Sequence, residues 1–231
     1  MREAASRGVH VESDPSASTV LATRGVVLAR SGRAFATLPD LTIPRGRSVA
    51  ILGASGSGKT TALMALAGIR APASGEIVVE DTVLWGLSAV ARDRFRGRRI
   101  GLVFQSFHLI DAVSVATNLA LAARCAGLPP DNRRMDQLLE TLQIAELRRK
   151  RADRISHGQA QRVAIARALF NKPAVVFADE PTSALDDAST ARLLTLLKET
   201  AAIEGAGLII ATHDRRVIDS VDETIELRPV Q

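Results

Sequence analysis

A glycine-rich segment, residues 53–60, has the composition and spacing of a phosphate-binding loop. It reads GASGSGKT and matches the pattern G-x-x-x-x-G-K-[ST] without a mismatch. The glycines allow backbone N–H groups to turn toward an anion, and the start of a following helix adds partial positive charge. Lys59 supplies a mobile charge for the β- and γ-phosphates of a nucleotide, and Thr60 supplies a hydroxyl ligand for Mg²⁺. The predicted nucleotide-binding residues are Gly53, Ala54, Ser55, Gly56, Ser57, Gly58, Lys59, Thr60 and Thr61.

Two adjacent carboxylates, Asp179 and Glu180, follow an apolar run at residues 175–178. The run predicts a strand buried on both faces, and open α/β sheets place their ligands at the C-terminal ends of such strands. We expect Asp179 to hold Mg²⁺ through water and Glu180 to polarise the water that attacks in hydrolysis. Residues 171–174 read NKPA and lack the final aspartate of the guanine-reading pattern Asn-Lys-x-Asp, which favours ATP over GTP.

The elements around these motifs predict an α/β domain. Residues 49–52 predict a strand that enters the phosphate loop, and residues 60–67 predict a helix that leaves it and closes at Gly68. Earlier runs at 20–29 and 38–43 are broken by Gly25, Gly32, Pro39 and Pro44 and predict the strands and turns of a β-rich N-terminal part. Later βαβ order is predicted from a helix beginning near Gln159, a strand at 174–178, a helix at 188–202 and a strand at 208–211.

Residues 112 to about 149 interrupt this order with a helical pattern. The segment is rich in Ala, Leu, Glu and Arg, with leucines at helical spacing and a Gly-Leu-Pro-Pro break at 127–130. We interpret it as part of an inserted helical subdomain of about residues 106–165. Residues 19–231 then form one domain. Residues 1–18 lack the apolar centre of a secretory signal, and we expect a disordered lead-in there.

Composition limits the class of protein. With 46% hydrophobic residues among 231, the chain can bury a core, which excludes disorder or fibre as descriptions of the whole chain. No apolar run reaches the roughly 18–20 residues of a membrane-spanning helix. The single Cys125 excludes an internal disulfide, and we expect a cytoplasmic location. The net charge of +5 is concentrated in basic clusters at 92–99 and 148–154. We interpret these clusters as solvated faces, with a membrane surface or a partner as the alternative and nucleic acid as a lesser one.

Residues 154–169, between the two nucleotide motifs, resemble the Leu-Ser-Gly-Gly-Gln signature and following helix of ATP-binding cassette (ABC) ATPases. Residues 103–105 resemble the Q-loop of that family, 183–186 its D-loop, and 212–214 its switch-histidine segment. The motifs stand in the family's order, and the resemblance covers about residues 19–227. It implies an α/β fold of the P-loop NTPase class, an ABC-type nucleotide-binding domain with a RecA-like core, an N-terminal antiparallel β subdomain and an inserted α-helical subdomain.

The resemblance also implies a head-to-tail homodimer that forms with ATP. Each ATP is expected between the phosphate loop of one subunit and the signature of the other, which comprises Ser156, His157, Gly158 and Gln159. His157 stands where glycine is usual, so we expect hydrolysis to survive with an altered affinity between subunits. Considered without the resemblance, Ser156 is an ordinary helix N-cap.

The remaining site residues follow from the same resemblance. The implied catalytic residues are Glu180, His213, Lys59 and Gln105, the Mg²⁺ ligands are Thr60, Gln105 and Asp179, and the D-loop residues are Ser183 and Asp186. We expect His213 to lie next to Asp179, near the γ-phosphate. Arg30 stands at the usual position of an adenine-stacking aromatic, and Phe35 is the alternative.

Residues 87–118 are similar to the branch of the family that contains lipoprotein-releasing (LolD), macrolide-export (MacB) and cell-division (FtsE) ATPases. This similarity implies a transmembrane permease as partner, docked on residues 105–118 with Phe107 and Leu109 exposed, and a location on the inner face of the cell membrane. Amino-acid importers are the alternative. A soluble nucleic-acid-associated ABC ATPase is less favoured, because the sequence has neither a second cassette nor a long heptad arm, and no nucleic-acid partner is expected.

Overall fold

The computed structural model describes residues 18–54, 56–183 and 185–230. The predicted lead-in therefore lies outside the described residues except for Ser18, and so do Ser55 of the phosphate loop and Ala184 of the D-loop. None of the helices in the described ranges has the length and apolar character needed to cross a membrane.

An antiparallel sheet forms the N-terminal part. Its strands are β1 (Thr19–Arg30), β2 (Arg33–Thr37), β3 (Leu41–Pro44), β5 (Ser74–Val79), β6 (Thr82–Val83) and β11 (Arg228–Pro229). Strand β1 lies at the centre and pairs with β2, β3 and β5. Two residues, Ser31 and Gly32, join β1 to β2, and both have positive φ (49° and 78°), as the favoured two-residue hairpin turn requires.

The apolar run at 38–43 is interrupted at Pro39, as predicted. Strand β3 begins only at Leu41, and residues 38–40 lie outside a strand. Pro39 has no N–H to donate to a ladder, and the Asp40 carboxylate accepts a hydrogen bond from the backbone N–H of Gly25 at 2.7 Å. The sequence prediction missed β2, although the Ser-Gly dipeptide at 31–32 is a hairpin signal.

A parallel sheet forms the core. Its strands are β4 (Ser48–Leu52), β7 (Ile100–Val103), β8 (Val175–Asp179), β9 (Gly207–Thr212) and β10 (Glu223–Glu226), in the order β10-β4-β9-β8-β7. Leu52 pairs with Thr212, and Asp179 pairs with Ala211. The C-terminal ends of β4, β8 and β9 therefore meet at one edge of the sheet, and this edge receives the phosphate loop, the carboxylate pair and the switch histidine.

Helices cover both faces of the core sheet and form the insertion. They are α1 (Lys59–Leu66), α2 (Ala89–Arg99), α3 (Val115–Cys125), α4 (Asn132–Thr141), α5 (His157–Leu169), α6 (Asp187–Ile203) and α7 (Arg215–Ile218). Helices α3 and α4 lie in the predicted helical segment and contribute Leu119, Leu138 and Leu139 to a buried cluster shared with α5 and α6. The fold class predicted from the sequence is confirmed: an α/β chain with an antiparallel sheet, a RecA-like parallel sheet and a helical insertion.

The arginines of α2 hold the parts of the fold together. Arg92 stacks on Trp85, with the guanidinium carbon 4.3 Å from the ring centroid. Arg96 donates to the carbonyl oxygen of Gly68 at 3.4 Å, and Arg98 donates to that of Ala126 at 2.9 Å. Arg99 pairs with Glu80 of the antiparallel sheet. Four of the five arginines of this cluster therefore bridge neighbouring elements, whereas Arg94 is exposed, so the cluster is a solvated face only in part.

Gly101 permits the close packing of β7 on α5. A β-carbon at this position would lie 2.6 Å from the carbonyl oxygen of Ala168. Gly101→Ala therefore forces the backbones of β7 and α5 apart. We expect the substitution to lower the free energy of unfolding by about 1–3 kcal/mol in denaturant titrations. Gly86→Ala is the matched control, since its nearest neighbour would lie at 3.7 Å. Equal midpoints for the two variants would contradict the packing argument.

Candidate active site

A cleft of about 910 Å³ opens where the hairpin tip of the antiparallel sheet faces the C-terminal edge of the core sheet. It brings together ten of the twenty predicted site residues, namely Arg30, Gly56, Gly58, Lys59, Thr60, Thr61, Gln105, Glu180, Ser183 and His213. Ser31 and Arg33 also line it and were missed, because they belong to the hairpin that the sequence prediction did not find. Arg30 and Phe35 both line the cleft, so either can face a base.

The phosphate loop is held by its glycines and by Lys59. Gly58 has φ 100°, and a β-carbon there would collide with the ring of Phe35. The Lys59 side chain is nearly buried, with the residue 6% exposed. Its Nζ donates to the carbonyl oxygens of Gly53 at 2.8 Å and Ala54 at 3.2 Å. The ammonium therefore has oxygen partners within the loop while it faces the cleft.

Asp179 ends β8 beneath the phosphate loop. Burial raises the pKa of its carboxyl, the Thr60 hydroxyl opposes that rise, and the neighbouring Glu180 charge reinforces it. Its Oδ1 is buried and has no hydrogen-bond partner among the described residues. An orphaned carboxylate oxygen next to a hydroxyl fits a divalent cation or its water. Thr60, Gln105 and Asp179 supply the oxygen ligands that Mg²⁺ prefers, and these residues therefore fit the ion.

Glu180 lies between two groups that can carry positive charge. Its Oε1 is 3.4 Å from Lys59 Nζ and 2.8 Å from His213 Nδ1, and its Oε2 accepts a hydrogen bond from Thr212 Oγ1 at 3.2 Å. The Glu180 backbone has φ 45°, a left-handed conformation that is uncommon for a glutamate. This carboxylate is oriented into the cleft, where it can accept a proton from water.

The observed hydrogen bond of His213 differs from the predicted neighbour. The sequence analysis places this histidine next to Asp179, whereas its ring bonds to Glu180. The strand register explains the difference. Asp179 lies opposite Ala211, so Thr212 and His213, which follow Ala211, lie beside Glu180, which follows Asp179. The sequence analysis did not name Thr212, which donates to Glu180 Oε2, as a site residue. Its position directly before His213, at the end of a predicted strand, was the signal that could have identified it.

The signature residues do not line the cleft in the described structure. Ser156 caps α5 in a capping box, where its Oγ accepts from the Gln159 N–H at 3.3 Å and Gln159 Oε1 accepts from the Ser156 N–H at 3.0 Å. A β-carbon at Gly158 would meet open space. The His157 ring packs on Phe107, with centroids 4.8 Å apart. The signature thus presents an open helix start on a face away from the cleft of its own chain.

The predicted exposure of Phe107 and Leu109 is wrong. Both side chains are half-buried, and Leu109 packs against the helical core, while Ile110 is 49% exposed. Of the D-loop residues, Ser183 lines the cleft, whereas Asp186 caps α6 by accepting from the Ser189 N–H at 2.8 Å.

Comparisons with known proteins agree with this geometry. A family model described as ABC transporter matches residues 38–183, which is more than half of the chain. The chain belongs to the ABC transporter family. It is 40% identical over 191 residues to the macrolide export ATP-binding/permease protein MacB of Azoarcus sp., covering 82% of this chain and 29% of the relative. It is 38% identical over 188 residues to the methionine import ATP-binding protein MetN of Rhizobium johnstonii, covering 80% of this chain and 52% of the relative.

Solved structures of cassettes superpose on nearly the whole chain. The structure of cbiO1 from Clostridium perfringens, described as part of the ABC transporter complex cbiONQ, has a TM-score of 0.81 at 31% identity, with 93% of this chain and 88% of that chain covered. The ATP-binding cassette MJ0796, a dimer in a post-hydrolysis state bound to ADP and Pi, has a TM-score of 0.78 at 28% identity, with 90% and 94% covered. The family and these neighbours support ATP hydrolysis. The chain spans 29% of the length of the MacB relative and 52% of that of the MetN relative.

Asp179→Asn should stabilise the nucleotide-free protein. The carboxylate is buried without a full set of partners, so removing its charge removes a desolvation cost. We expect the free energy of unfolding to rise by about 1 kcal/mol, or the melting midpoint by roughly 2–4 °C, in nucleotide-free buffer. Asp81→Asn, which makes the same charge change at an exposed turn, is the control. An Asp179 variant less stable than this control would contradict the argument.

Asp214 should contribute an acid-sensitive part of stability. Hydrogen bonds from Arg216 lower the pKa of this carboxyl to about 2 from 3.8, and burial opposes them. A carboxyl whose folded pKa is depressed stabilises the fold above its unfolded pKa, and this contribution disappears as the pH falls from about 4 toward 2. Urea titrations at pH 5, 4 and 3 should show a shallower loss of stability in Asp214→Asn than in the wild type. Parallel curves would argue against this role.

Proposed function

We propose that this chain is the ATP-binding and ATP-hydrolysing subunit of an ABC transporter. In this proposal it dimerises head-to-tail with ATP and drives a separate transmembrane permease of the LolD/MacB type, which exports a substrate or releases lipoproteins. The observation that carries the proposal is the carboxylate of Glu180, oriented by Lys59 and His213 at the mouth of a phosphate loop. The permease places the subunit on the inner face of the cell membrane.

The chain's own residues account for the chemistry of hydrolysis. The Nζ of Lys59 donates to two carbonyl oxygens of the phosphate loop. When a nucleotide binds, Lys59 exchanges these hydrogen bonds for bonds to the β- and γ-phosphate oxygens. Glu180 accepts the proton of the attacking water, and His213 holds that carboxylate in place through its 2.8 Å contact. Thr60, Gln105 and Asp179 would hold Mg²⁺, which would supply charge neutralisation at the phosphates. The oxygen of the attacking water bonds to the γ-phosphorus as the bond from that phosphorus to the bridging oxygen of ADP breaks, which gives ADP and phosphate.

A second copy completes the site in this proposal. The signature of each chain presents Ser156, His157 and Gly158 outside its own cleft, and the open surroundings of Gly158 leave room for a phosphate from a partner. The dimeric cassette among the structural neighbours supports such pairing. We expect His157, which packs on Phe107, to change the affinity between copies rather than the chemistry.

The permease is proposed to dock beside the Q-loop. Here a groove of about 310 Å³ is lined by Phe104, His108 and Ile110. Arg167 of α5 donates to the carbonyl oxygens of both Phe107 and His108 at 2.5 Å, and both of these residues have left-handed φ near 50°. The segment is thus held rigid in a strained conformation, as a surface that transmits force requires.

In this proposal the permease determines whether the transporter imports or exports its substrate, and the nucleotide cleft does not. The MacB relative favours export, and the MetN relative favours the importer as the alternative. A nucleic-acid-associated ABC ATPase is the weakest alternative. Salt-sensitive retention on DNA or RNA columns by the isolated chain would favour it over a transporter.

Glu180→Gln should trap the dimer. Without a base, ATP remains intact between two copies, so we expect the variant to elute as a dimer with ATP and Mg²⁺ and as a monomer with ADP, measured by light scattering. Steady-state hydrolysis should fall by about 100-fold or more. Glu146→Gln, exposed on the surface, is the control and should behave as the wild type. A Glu180→Gln variant that binds ATP yet stays monomeric, even with its permease, would overturn the proposal.

A further inference from the structure

Arg216, in the short helix α7, joins three segments around the candidate site. Its Nη1 donates to the carbonyl oxygen of Leu185 at 3.2 Å and to the Asp187 carboxylate at 2.6 Å. Its Nε and Nη2 donate to the Asp214 carboxylate at 2.9 and 2.7 Å. One guanidinium therefore contacts the D-loop, the first residue of α6 and the residue that follows the switch histidine.

The bonds continue from Asp214 to the base. The Asp214 carboxylate accepts a hydrogen bond from Thr182 Oγ1 at 2.8 Å. The backbone N–H of Asp214 donates to Thr212 Oγ1 at 3.0 Å. Thr212 Oγ1 in turn donates to Glu180 Oε2 at 3.2 Å. A continuous path of hydrogen bonds thus runs from the D-loop carbonyl to the carboxylate in the cleft.

A contribution to stability does not explain the ion pair between Arg216 and Asp187, the first residue of α6. The Asp187 side chain is 93% exposed and that of Arg216 is 37% exposed, so their ion pair contributes little to folding. The pair does fix the beginning of α6, just after the D-loop. Arginine suits this task because its planar fork donates in several fixed directions at once, which a lysine ammonium cannot reproduce.

We propose that Arg216 is a positioning residue that ties the D-loop to the switch-histidine segment, so that the two move as one unit. The inference rests on the proposed function, because the D-loop acts only where two copies meet around ATP. Without this tie, Glu180 keeps its contacts to Lys59 and His213. Leu185 and Asp187 lose their bonds to the segment that follows the switch histidine. ATP binding is then unaffected, and the step that requires both loops in register is slowed.

The test compares four variants of the full chain in ATP hydrolysis. Arg216→Ala removes every bond of the guanidinium and leaves the bond from Thr182 to Asp214 in place. Arg216→Lys retains the charge without the fork, and Asp187→Asn weakens only the bond to the start of α6. Arg215→Ala is the matched control, since this neighbouring arginine is exposed and makes no side-chain hydrogen bond within the described structure. The readouts are kcat, KM for ATP and the thermal midpoint of each variant.

We expect Arg216→Ala to lower kcat about tenfold with KM within about twofold of the wild type, which corresponds to about 1.4 kcal/mol in the barrier. Arg216→Lys should remain low, and Asp187→Asn should lower kcat by a smaller factor without changing the thermal midpoint. Arg215→Ala should match the wild type. If Arg216→Ala fails to fold, the lysine and Asp187 variants carry the same test.

Two results would overturn the inference. If the wild-type chain hydrolyses ATP and the Arg216 and Asp187 variants have the same kcat, this inference is overturned while the proposed function stands. Losses of kcat that simply follow losses of thermal midpoint would do the same, because the tie would then be only structural. A wild-type chain that neither hydrolyses ATP nor pairs on it would instead overturn the proposed function, and this inference with it.

Discussion

The placement of one ammonium and one carboxylate at the edge of a parallel sheet governs the rest of this structure. Lys59 is almost buried, and its charge is balanced by loop carbonyl oxygens and by Glu180. A buried charge without such partners is costly, so the loop and the end of β8 must lie close together. The strand order β4-β9-β8 achieves this, because the C-terminal ends of all three strands meet at one edge of the sheet, and His213 follows directly after β9.

Arginine side chains perform much of the remaining assembly. Those of α2 bridge the antiparallel sheet, the core and the helical insertion, Arg167 holds the segment after the Q-loop, and Arg216 holds the D-loop. These bonds are divided between backbone carbonyl oxygens and carboxylates. A guanidinium satisfies several such acceptors at fixed angles. The basic character of the chain therefore serves internal positioning at these places, and only part of it is available to an external surface.

Local sequence patterns predicted the core elements well. The strand before the phosphate loop, α1, β8, α6 and β9 each begin and end within about two residues of the predicted bounds, and α5 begins two residues before the predicted Gln159. Prediction failed for short β-strands near the N-terminus. Strand β2 is five residues long, and the segment before β3 is held by a bond from Gly25 of β1 to Asp40. Such bonds have no local signal beyond the residue types that make them.

By itself, the sequence determined which chemical groups are present and in what local setting. A glycine-rich turn between a strand and a helix, and two carboxylates after a buried strand, are local patterns whose geometry follows from backbone sterics and helix termini. Only the tertiary structure decided which groups meet. His213 bonds to Glu180 rather than to Asp179, and Arg216 reaches Leu185, because the register of β8 on β9 fixes distances between residues some thirty positions apart.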